Sequence, residues 1–194
     1  MTGNIGSGKS TVASLLVDKG AALIDSDALA REATRDPEVL RKIADALGED
    51  LIREGELDRP KTAARVFGDE AARGTLNGII HPWVRRESEA RARELERRAA
   101  PPEVILMDIP LLYENGLERG LDAVIVVDAP LEVRVERVQA RSGLSEEEVR
   151  ARDAAQMPLT EKVRRADYVV DNSGDEAALG AQLGALWSNI KKKS

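Results

Sequence analysis

The sequence predicts an α/β fold in which helices cover both sides of a mostly parallel, doubly wound sheet of about five strands. Short apolar runs of strand length alternate with segments of helical periodicity, an order that favours parallel strands joined by right-handed crossovers. Each run is followed directly by an aspartate. The runs are Ala21–Ile24, Val104–Met107, Ala123–Val127 and Tyr168–Val170.

A glycine-rich segment near the start fits the pattern G-x-x-x-x-G-K-[ST]. Its glycines allow successive backbone N–H groups to face one centre, and the helix that follows adds the positive end of its dipole. In this pattern Lys9 reaches the β- and γ-phosphates of a nucleotide, and the Ser10 hydroxyl ligates Mg²⁺. The segment therefore predicts binding of ATP through Gly3, Asn4, Ile5, Gly6, Ser7, Gly8, Lys9, Ser10 and Thr11.

Only Met1 and Thr2 precede this phosphate loop, although such a loop normally follows a buried central strand. We therefore expect a gap in the sheet and a poorly anchored loop. We also expect the true start of the protein to lie upstream of Met1, which an intact mass of the natively expressed protein would test.

Composition limits the chemistry and the compartment. The chain has 194 residues, of which 42% are hydrophobic and 33% charged, as suits one globular unit with an inserted subdomain. With no cysteine and one histidine, thiolate and multi-histidine metal sites are excluded, so any divalent ion must have oxygen ligands.

The net charge of −6 argues against sequence-independent nucleic-acid binding. Because no signal-peptide or membrane-span pattern is evident, we expect a cytoplasmic monomer or small homo-oligomer without nucleic-acid or membrane partners.

Two carboxylates, Asp25 and Asp27, follow the first apolar run. They lie at the carboxyl end of a predicted strand, where open α/β sheets place their ligands. One can accept a proton from a substrate hydroxyl, and the other can hold a metal ion or its waters. Asp27 is also well placed to cap a helix that begins at Ala28, and capping is compatible with catalysis.

Residues 28–99 are helix-rich and charged, with no convincing strand. An insertion of this length between two strands is well placed to hold a second substrate beside the phosphates. His81 precedes Pro82 in this segment, where a structural turn is a more usual role than catalysis. The predicted helix breaks are at Asp36–Pro37, Gly48, Gly55 and Gly74.

Asp108 ends the second apolar run, and four apolar residues followed by aspartate resemble the Walker B pattern. A carboxylate in this place can hold Mg²⁺ through water. Aspartates at strand ends also cap helices, so the sequence leaves both roles open.

Arg137 and Arg141 are four residues apart on one predicted helix, so they share a face and can close over triphosphate oxygens. The alternative is a charged helix surface paired with nearby glutamates. Ser142–Gly143 marks the tip of a predicted helical hairpin, because Ser145 and Glu148 form a capping-box pattern for the next helix. Such a hairpin is typical of a mobile lid that expels water during phosphoryl transfer.

Taken in order, these motifs resemble the dephospho-coenzyme A kinase family over nearly the whole chain. The resemblance implies a P-loop NTP hydrolase fold with a helical substrate-binding insertion and a helical lid. It is carried by Gly6–Thr11, Ile24–Asp27, Leu57–Arg59, Ile80–Pro82, Pro110–Glu114, Gln156 with Glu161–Lys162, and Ala166–Asp167 leading to Asp171–Asn172.

The resemblance implies transfer of the ATP γ-phosphoryl group to the ribose 3′-hydroxyl of dephospho-coenzyme A, the final step of coenzyme A synthesis. It makes Lys9 part of the phosphate cradle, Ser10 a Mg²⁺ ligand and Asp27 the base for the 3′-hydroxyl. The other site residues expected are Arg137, Arg141 and Asn172 near ATP, Asp108 at the metal, and Asp25, Arg59, His81, Pro110, Leu111 and Glu114 at the acceptor.

The chain departs from the family pattern in two places. The first strand is absent, and Asn4 stands where the family usually has glycine. We expect the extra side chain to narrow the loop, although asparagine tolerates left-handed backbone angles better than most residues.

The expected division is a nucleotide-binding core of residues 1–27, 100–130 and 163–194, a coenzyme A-binding insertion of residues 28–99, and a lid of residues 131–162. A nucleoside or nucleotide kinase shares the loop, the acidic pair and the lid, and is the main alternative. A nucleotide-gated switch ATPase without an acceptor is a second alternative, and a truncated, inactive form of the enzyme is a third.

Overall fold

The structure, a computed structural model, describes residues 1–191, and residues 192–194 of the expected nucleotide-binding core lie outside them. The chain divides into two compact units. The first unit comprises Met1–Ile24 and Ala99–Ser194, and the second comprises Asp25–Arg98.

Within the described residues, short strands alternate with helices along the first unit, as the apolar runs predicted. Two short 3₁₀ turns, Glu49–Leu51 and Leu117–Gly120, interrupt the connections. In chain order the elements are α1 (Lys9–Asp18), β1 (Ala22–Asp25), α2 (Ser26–Ala33), α3 (Pro37–Leu47), β2 (Ile52–Arg53), β3 (Glu56–Leu57), α4 (Arg59–Val66), α5 (Glu70–Glu96), β4 (Ile105–Asp108), β5 (Ile125–Asp128), α6 (Leu131–Ser142), α7 (Glu146–Ala154), α8 (Leu159–Arg165), β6 (Tyr168–Asp171) and α9 (Glu176–Ile190).

The two residues before the phosphate loop occupy the centre of the sheet. Strand β1 pairs with β4, and β5 pairs in parallel with β6. The Met1 nitrogen donates to the Met107 carbonyl at 2.6 Å, and the Met1 carbonyl accepts from the Ile109 N–H at 3.0 Å, beside β4. Thr2 forms a parallel bridge to Val126 of β5. The expected gap and poorly anchored loop are therefore wrong, because two residues suffice to hydrogen-bond to both neighbouring strands.

Helices cover both faces of this sheet. On one face Val127 packs in a cluster with Leu16 of α1 and Leu183 of α9. Val126, whose side chain points to the opposite face, packs with Leu159 of α8. Neighbouring residues of one strand are thus buried on opposite sides, which confirms the predicted doubly wound α/β architecture.

Each main strand ends one residue later than its apolar run, at the aspartate itself. In β5 and β6, the backbone pairing continues through Asp128 and Asp171, which lie opposite each other. Hydropathy located the buried part of each strand, whereas backbone hydrogen bonding extends the strand into its polar end.

The second unit is built around α5, which is 27 residues long and contains Pro82. The predicted break at Gly74 and the predicted turn at His81 are therefore wrong, since both residues lie inside this helix. Helices α2, α3 and α4 pack against α5. We attribute its continuity to this packing, which outweighs the roughly 1 kcal/mol for glycine and 3 kcal/mol for proline that interior positions cost.

The second unit also contains a small antiparallel hairpin, in which Ile52 of β2 lies opposite Leu57 of β3. Its turn residues Glu54 and Gly55 have φ angles of 54° and 80°, the combination of positive angles that two-residue hairpin turns favour. The expectation of no strand in residues 28–99 is therefore wrong. Each of these strands has only two residues, too few for a detectable alternation.

The hairpin of α6 and α7 matches its sequence signals. Gly143 ends α6 with a φ of 67°, and the capping box of Ser145 and Glu148 is complete, with both hydrogen bonds present. Across residues 1–191, no helix combines the length and the apolar character that crossing a membrane requires.

Candidate active site

The phosphate loop in the first unit has a backbone that requires glycine at two positions. Gly6 and Gly8 have φ angles of 78° and 85°. A Cβ on Gly6 would lie 2.5 Å from the carbonyl oxygen of Arg134, and one on Gly8 would lie 2.0 Å from Nδ2 of Asn172. Gly8 caps α1 without a side-chain hydrogen bond, so the first N–H groups of that helix are left for an anionic ligand.

Lys9 and Asp108 form an ion pair at the start of α1 and the end of β4. The distance from Nζ of Lys9 to Oδ1 of Asp108 is 2.8 Å, and the two side chains are only 16% and 13% exposed. The two residues that the sequence assigned to the Walker A and Walker B patterns are thus in contact.

The oxygen donors near this pair fit a magnesium ion held mainly by phosphates. Ser10 supplies a hydroxyl on the first turn of α1, and Asp108 supplies a carboxylate. Within residues 1–191, no group of three or more His, Asp or Glu side chains could hold a metal by itself. Magnesium in phosphoryl-transfer sites is usually bound by one or two protein oxygens, with substrate phosphates and waters as the other ligands.

A groove of about 350 Å³ adjoins the phosphate loop. Asn172 lies in its wall and donates from Nδ2 to the Ser7 carbonyl at 2.8 Å, which ties the end of β6 to the loop. The sequence predicted Asn172, Gly8 and Thr11 for this region, but it did not predict the contribution of α9. The groove is lined by Gly8, Thr11, Arg137, Asn172, Gly174, Asp175, Glu176 and Leu179.

Arg137 of α6 also lines this groove, close to the phosphate loop. Its Nη1 lies 3.7 Å from the place that a Cβ on Gly8 would take. That nitrogen is buried, and among the described residues it has no hydrogen-bond partner. A buried guanidinium nitrogen without a partner is well suited to receive a phosphate oxygen. Arg141, one turn further along α6, is exposed.

Asp25 caps α2, whereas the sequence analysis assigned the cap to Asp27. Oδ1 of Asp25 accepts from the N–H groups of Asp27 and Ala28 at 2.8 and 3.0 Å. The helix begins at Ser26, so Asp27 lies in its first turn. The cap assignment to Asp27 is therefore wrong, because the strand runs directly into the helix without an intervening loop.

The segment Pro110, Leu111 and Glu114 lies next to the sheet in the first unit. The Pro110 carbonyl accepts from Oγ1 of Thr2 at 2.9 Å. Oε1 of Glu114 lies 2.8 Å from Nζ of Lys162, which is fully buried, and accepts from the Met157 N–H at 2.9 Å. These contacts show a structural role for Glu114 and Pro110, while Leu111 is exposed. Their contact with an acceptor remains a prediction.

The second unit has a separate groove of about 430 Å³ lined by arginines of α2 and α4. Arg35 pairs with Glu56 at 3.1 Å, and Glu32 pairs with Arg91 of α5. Arg31 of α2 and Arg59, which begins α4, also line this groove. His81 is exposed on α5 and does not line this groove.

Side chains of α6 and α7 that no sequence motif predicted hold the phosphate loop in place. Asn4 donates from Nδ2 to Oδ1 of Asp153 at 2.8 Å and to the Met157 carbonyl at 3.2 Å. The Asn4 side chain is thus engaged outside the loop, and the expected narrowing of the loop is not observed. No local pattern indicated this contact, because 149 residues separate Asn4 from Asp153.

Comparisons with known proteins place the chain in a family. A family model described as dephospho-CoA kinase matches residues 1–178. A dephospho-CoA kinase of Deinococcus radiodurans is 51% identical over 191 residues, which cover 98% of this chain and 91% of that protein.

Solved structures also match most of the chain, and two of them illustrate the similarity. One, of a Thermus thermophilus protein, has 45% identity and a TM-score of 0.80, and the match covers 97% of this chain and 94% of that one. The other, the dephospho-CoA kinase of Campylobacter jejuni, has 25% identity and a TM-score of 0.71, with 98% and 95% covered. Since the family model spans nearly the whole chain and the sequence matches are extensive, the chain belongs to the dephospho-CoA kinase family.

Proposed function

We propose that the protein transfers the γ-phosphoryl group of ATP to the ribose 3′-hydroxyl of dephospho-coenzyme A, giving coenzyme A and ADP. The observation that carries this proposal is the buried contact of Lys9 with Asp108 at the phosphate loop, in a chain of this family. The pair brings together a cation for the phosphates and a carboxylate for their metal ion, as phosphoryl transfer requires.

In this proposal, ATP lies along the first-unit groove with its phosphates in the loop. The N–H groups at the start of α1 and the Lys9 ammonium bind the β- and γ-phosphates. The unpartnered Nη1 of Arg137 meets further phosphate oxygens, and the nucleoside extends toward Asn172 and the start of α9. Arg141 is exposed near the end of α6, so its contact with ATP would require movement at the tip of the hairpin of α6 and α7.

Ser10 and Asp108 would hold Mg²⁺ together with the phosphates. When bound, Mg²⁺ supplies positive charge that neutralises the phosphate oxygens during transfer. The ion pair with Lys9 orients the Asp108 carboxylate before the metal arrives.

Asp27 is proposed as the base. The 3′-hydroxyl oxygen forms a bond to the γ-phosphorus, the bond from that phosphorus to the β,γ-bridging oxygen breaks, and ADP leaves. The hydroxyl proton passes to the Asp27 carboxylate. Its neighbour Asp25 holds the first turn of α2 by capping it.

The second-unit groove supports an anionic acceptor. Arg31, Arg35 and Arg59 line it with three guanidinium groups. Of its two carboxylates, Glu56 pairs with Arg35 and Glu32 pairs with Arg91. Guanidinium groups bind phosphates in bidentate geometry, which suits the pyrophosphate of dephospho-coenzyme A. His81 lies outside this groove, so its proposed contact with the acceptor has no further support. The cytoplasmic location and the oligomeric state remain expectations from the sequence.

The test is ADP release by the purified protein with Mg-ATP, with and without dephospho-coenzyme A, and with adenosine, AMP or cytidine as rival acceptors. We expect release that only dephospho-coenzyme A stimulates, with a product heavier by one phosphoryl group at the 3′ position. Stimulation by a rival acceptor would assign the protein to a nucleoside or nucleotide kinase activity, and ATP hydrolysis unaffected by every acceptor would favour a switch ATPase.

R59A provides a matched check of the acceptor site, since it should raise KM for dephospho-coenzyme A about tenfold and leave KM for ATP unchanged.

A further inference from the structure

Both backbone polar groups of Ile5, in the middle of the phosphate loop, are bound by side chains from the segment 134–156. The Ile5 N–H donates to Oε1 of Gln156 at 2.9 Å. The Ile5 carbonyl accepts from Nη1 of Arg134 at 3.2 Å. The conformation of the loop at this residue is therefore set by α6 and by the connection after α7.

Arg134 is buried and makes several bonds at this junction. The residue is 4% exposed, and its Nε donates to the Ala129 carbonyl at 3.0 Å. Its Nη1 lies 2.5 Å from Oδ1 of Asp153, whose side chain is 19% exposed. A Cβ on Gly6 would touch the Arg134 carbonyl, so the loop packs directly on the first turns of α6.

Asn4 completes the junction from the side of the loop. It is 3% exposed, and its amide donates to the same Asp153 oxygen that pairs with Arg134. Burial raises the pKa of Asp153, but the hydrogen bonds from Arg134 and Asn4 outweigh this effect and hold the pKa below its usual value of 3.8. Asp153 is thus a carboxylate that links a buried cation on α6 to a buried amide in the loop.

We propose that Asn4, Asp153 and Arg134 are positioning residues, which hold the phosphate loop in the conformation that binds ATP. None of the three needs to touch the nucleotide. Because the amides of the loop bind phosphate only when they face one centre, a loop released at Asn4 and Ile5 has to be reordered by the ligand, which weakens binding. The proposal rests on the proposed function for one point, which is that the bound nucleotide is ATP.

Two variants test this role. N4A removes the amide and leaves the ion pair between Arg134 and Asp153 intact, so the buried Arg134 guanidinium keeps its counter-charge. D153N keeps the shape of the side chain and removes its charge. The matched control is E118Q, since Glu118 pairs with Arg165 at 2.7 Å and is 23% exposed, in the same unit and without contact to the loop.

The measurements are the dissociation constant of Mg-ATP by calorimetry, the KM of each substrate, and the midpoint of thermal unfolding. We expect N4A and D153N each to weaken ATP binding about tenfold, with KM for dephospho-coenzyme A unchanged. The double variant should be little weaker than either single variant, because both changes interrupt one connection. E118Q should bind ATP with the wild-type affinity, even if loss of the ion pair with Arg165 lowers its midpoint of thermal unfolding.

Wild-type ATP affinity in N4A and D153N would overturn the proposal and leave the junction as a structural brace only. An equal loss of ATP affinity in E118Q would also overturn it, because the effect would then follow stability rather than the loop. Failure of the wild-type protein to bind ATP at all is a different result, since it would contradict the proposed function itself.

Discussion

Nζ of Lys9 lies 2.8 Å from Oδ1 of Asp108, and this pair joins the start of α1 to the end of β4 beneath the phosphate loop. Both side chains are largely buried, so neither charge is well solvated without the other. When ATP binds, the Lys9 ammonium can turn to the phosphates, and Mg²⁺ held by Ser10 and Asp108 would supply the charge that neutralises Asp108. The contact therefore keeps both groups oriented before the substrate arrives.

Lys9→Ala should reduce kcat/KM by about 10³-fold, because it removes a cation aimed at the charge that develops on the phosphoryl group. Steady-state assays with both substrates test this expectation. The thermal midpoint must be measured alongside, because the variant also leaves Asp108 buried without its cation. Activity within tenfold of wild type in a folded variant would contradict the role assigned to Lys9.

Asp27→Asn should reduce kcat by about 10²- to 10⁴-fold, the usual contribution of a general base. An amide cannot accept the 3′-hydroxyl proton, yet the change is nearly isosteric and lies outside the phosphate loop in the sequence. We therefore expect the dissociation constant of Mg-ATP to stay within about twofold of the wild-type value. Near-native turnover by this variant would show that another group accepts the proton.

The cap of α2 makes a separate prediction for Asp25. Asp25→Ala should cost about 1 kcal/mol of folding stability, because it removes the acceptor for two N–H groups at the helix start. Asp25→Asn should stay near the wild-type stability, since asparagine caps helices equally well. Urea denaturation compares the variants. Equal losses in both would indicate that the charge, and not the cap, stabilises this end of the helix.

Gly8→Ala should lower both the stability and the ATP affinity. The residue has a φ of 85°, which costs an alanine about 1–2 kcal/mol, and its Cβ would displace the Asn172 amide from the loop. Gly180→Ala is the matched control, because Gly180 lies on α9 with open space around it. That change should stabilise the helix by about 0.5–1 kcal/mol and leave ATP binding unchanged. Similar behaviour of the two variants would argue against a special backbone at Gly8.

The parts of the fold and site that the sequence predicted are those encoded in local patterns. The apolar runs located the ends of the main strands to within two residues, and the phosphate loop was identified from its glycines and Lys9. The sequence predicted a helix break at Gly74, because glycine has a low helix propensity in an isolated helix. In the structure α5 continues through Gly74, since it packs against three other helices.

The parts that the sequence could not predict depend on contacts between distant segments. Asp153 belongs to none of the sequence motifs, yet it binds Arg134 and Asn4. Lys162 carries a charge, yet it is fully buried beside Glu114. Such pairings have no local signature, since a side chain's partner is fixed only after the helices pack.

The pair of Glu114 and Lys162 predicts a pH-dependent contribution to stability. The residue Glu114 is exposed as a whole, but its carboxylate side chain is only 20% exposed, and Lys162 is fully buried. Burial raises the pKa of Glu114, while the hydrogen bonds from Lys162 and Met157 outweigh that effect and lower it below its usual 4.5. A carboxylate whose pKa is lowered by folding stabilises the folded state above its unfolded pKa, and this stabilisation is lost as the pH falls through the folded pKa.

Glu114→Gln should therefore cost about 3 kcal/mol at pH 7, because it leaves a buried ammonium without a counter-charge. The difference from wild type should be constant above pH 5 and should shrink as the pH falls below the unfolded pKa of about 4.5, because the unfolded chain then takes up a proton that the folded carboxylate still excludes. Denaturation in urea at a series of pH values measures this difference. Glu161→Gln is the control, because Glu161 pairs with the exposed Arg164 at the surface, where such a pair contributes little. A difference between wild type and Glu114→Gln that persists undiminished at pH 3 would show that the loss comes from packing and not from the charge.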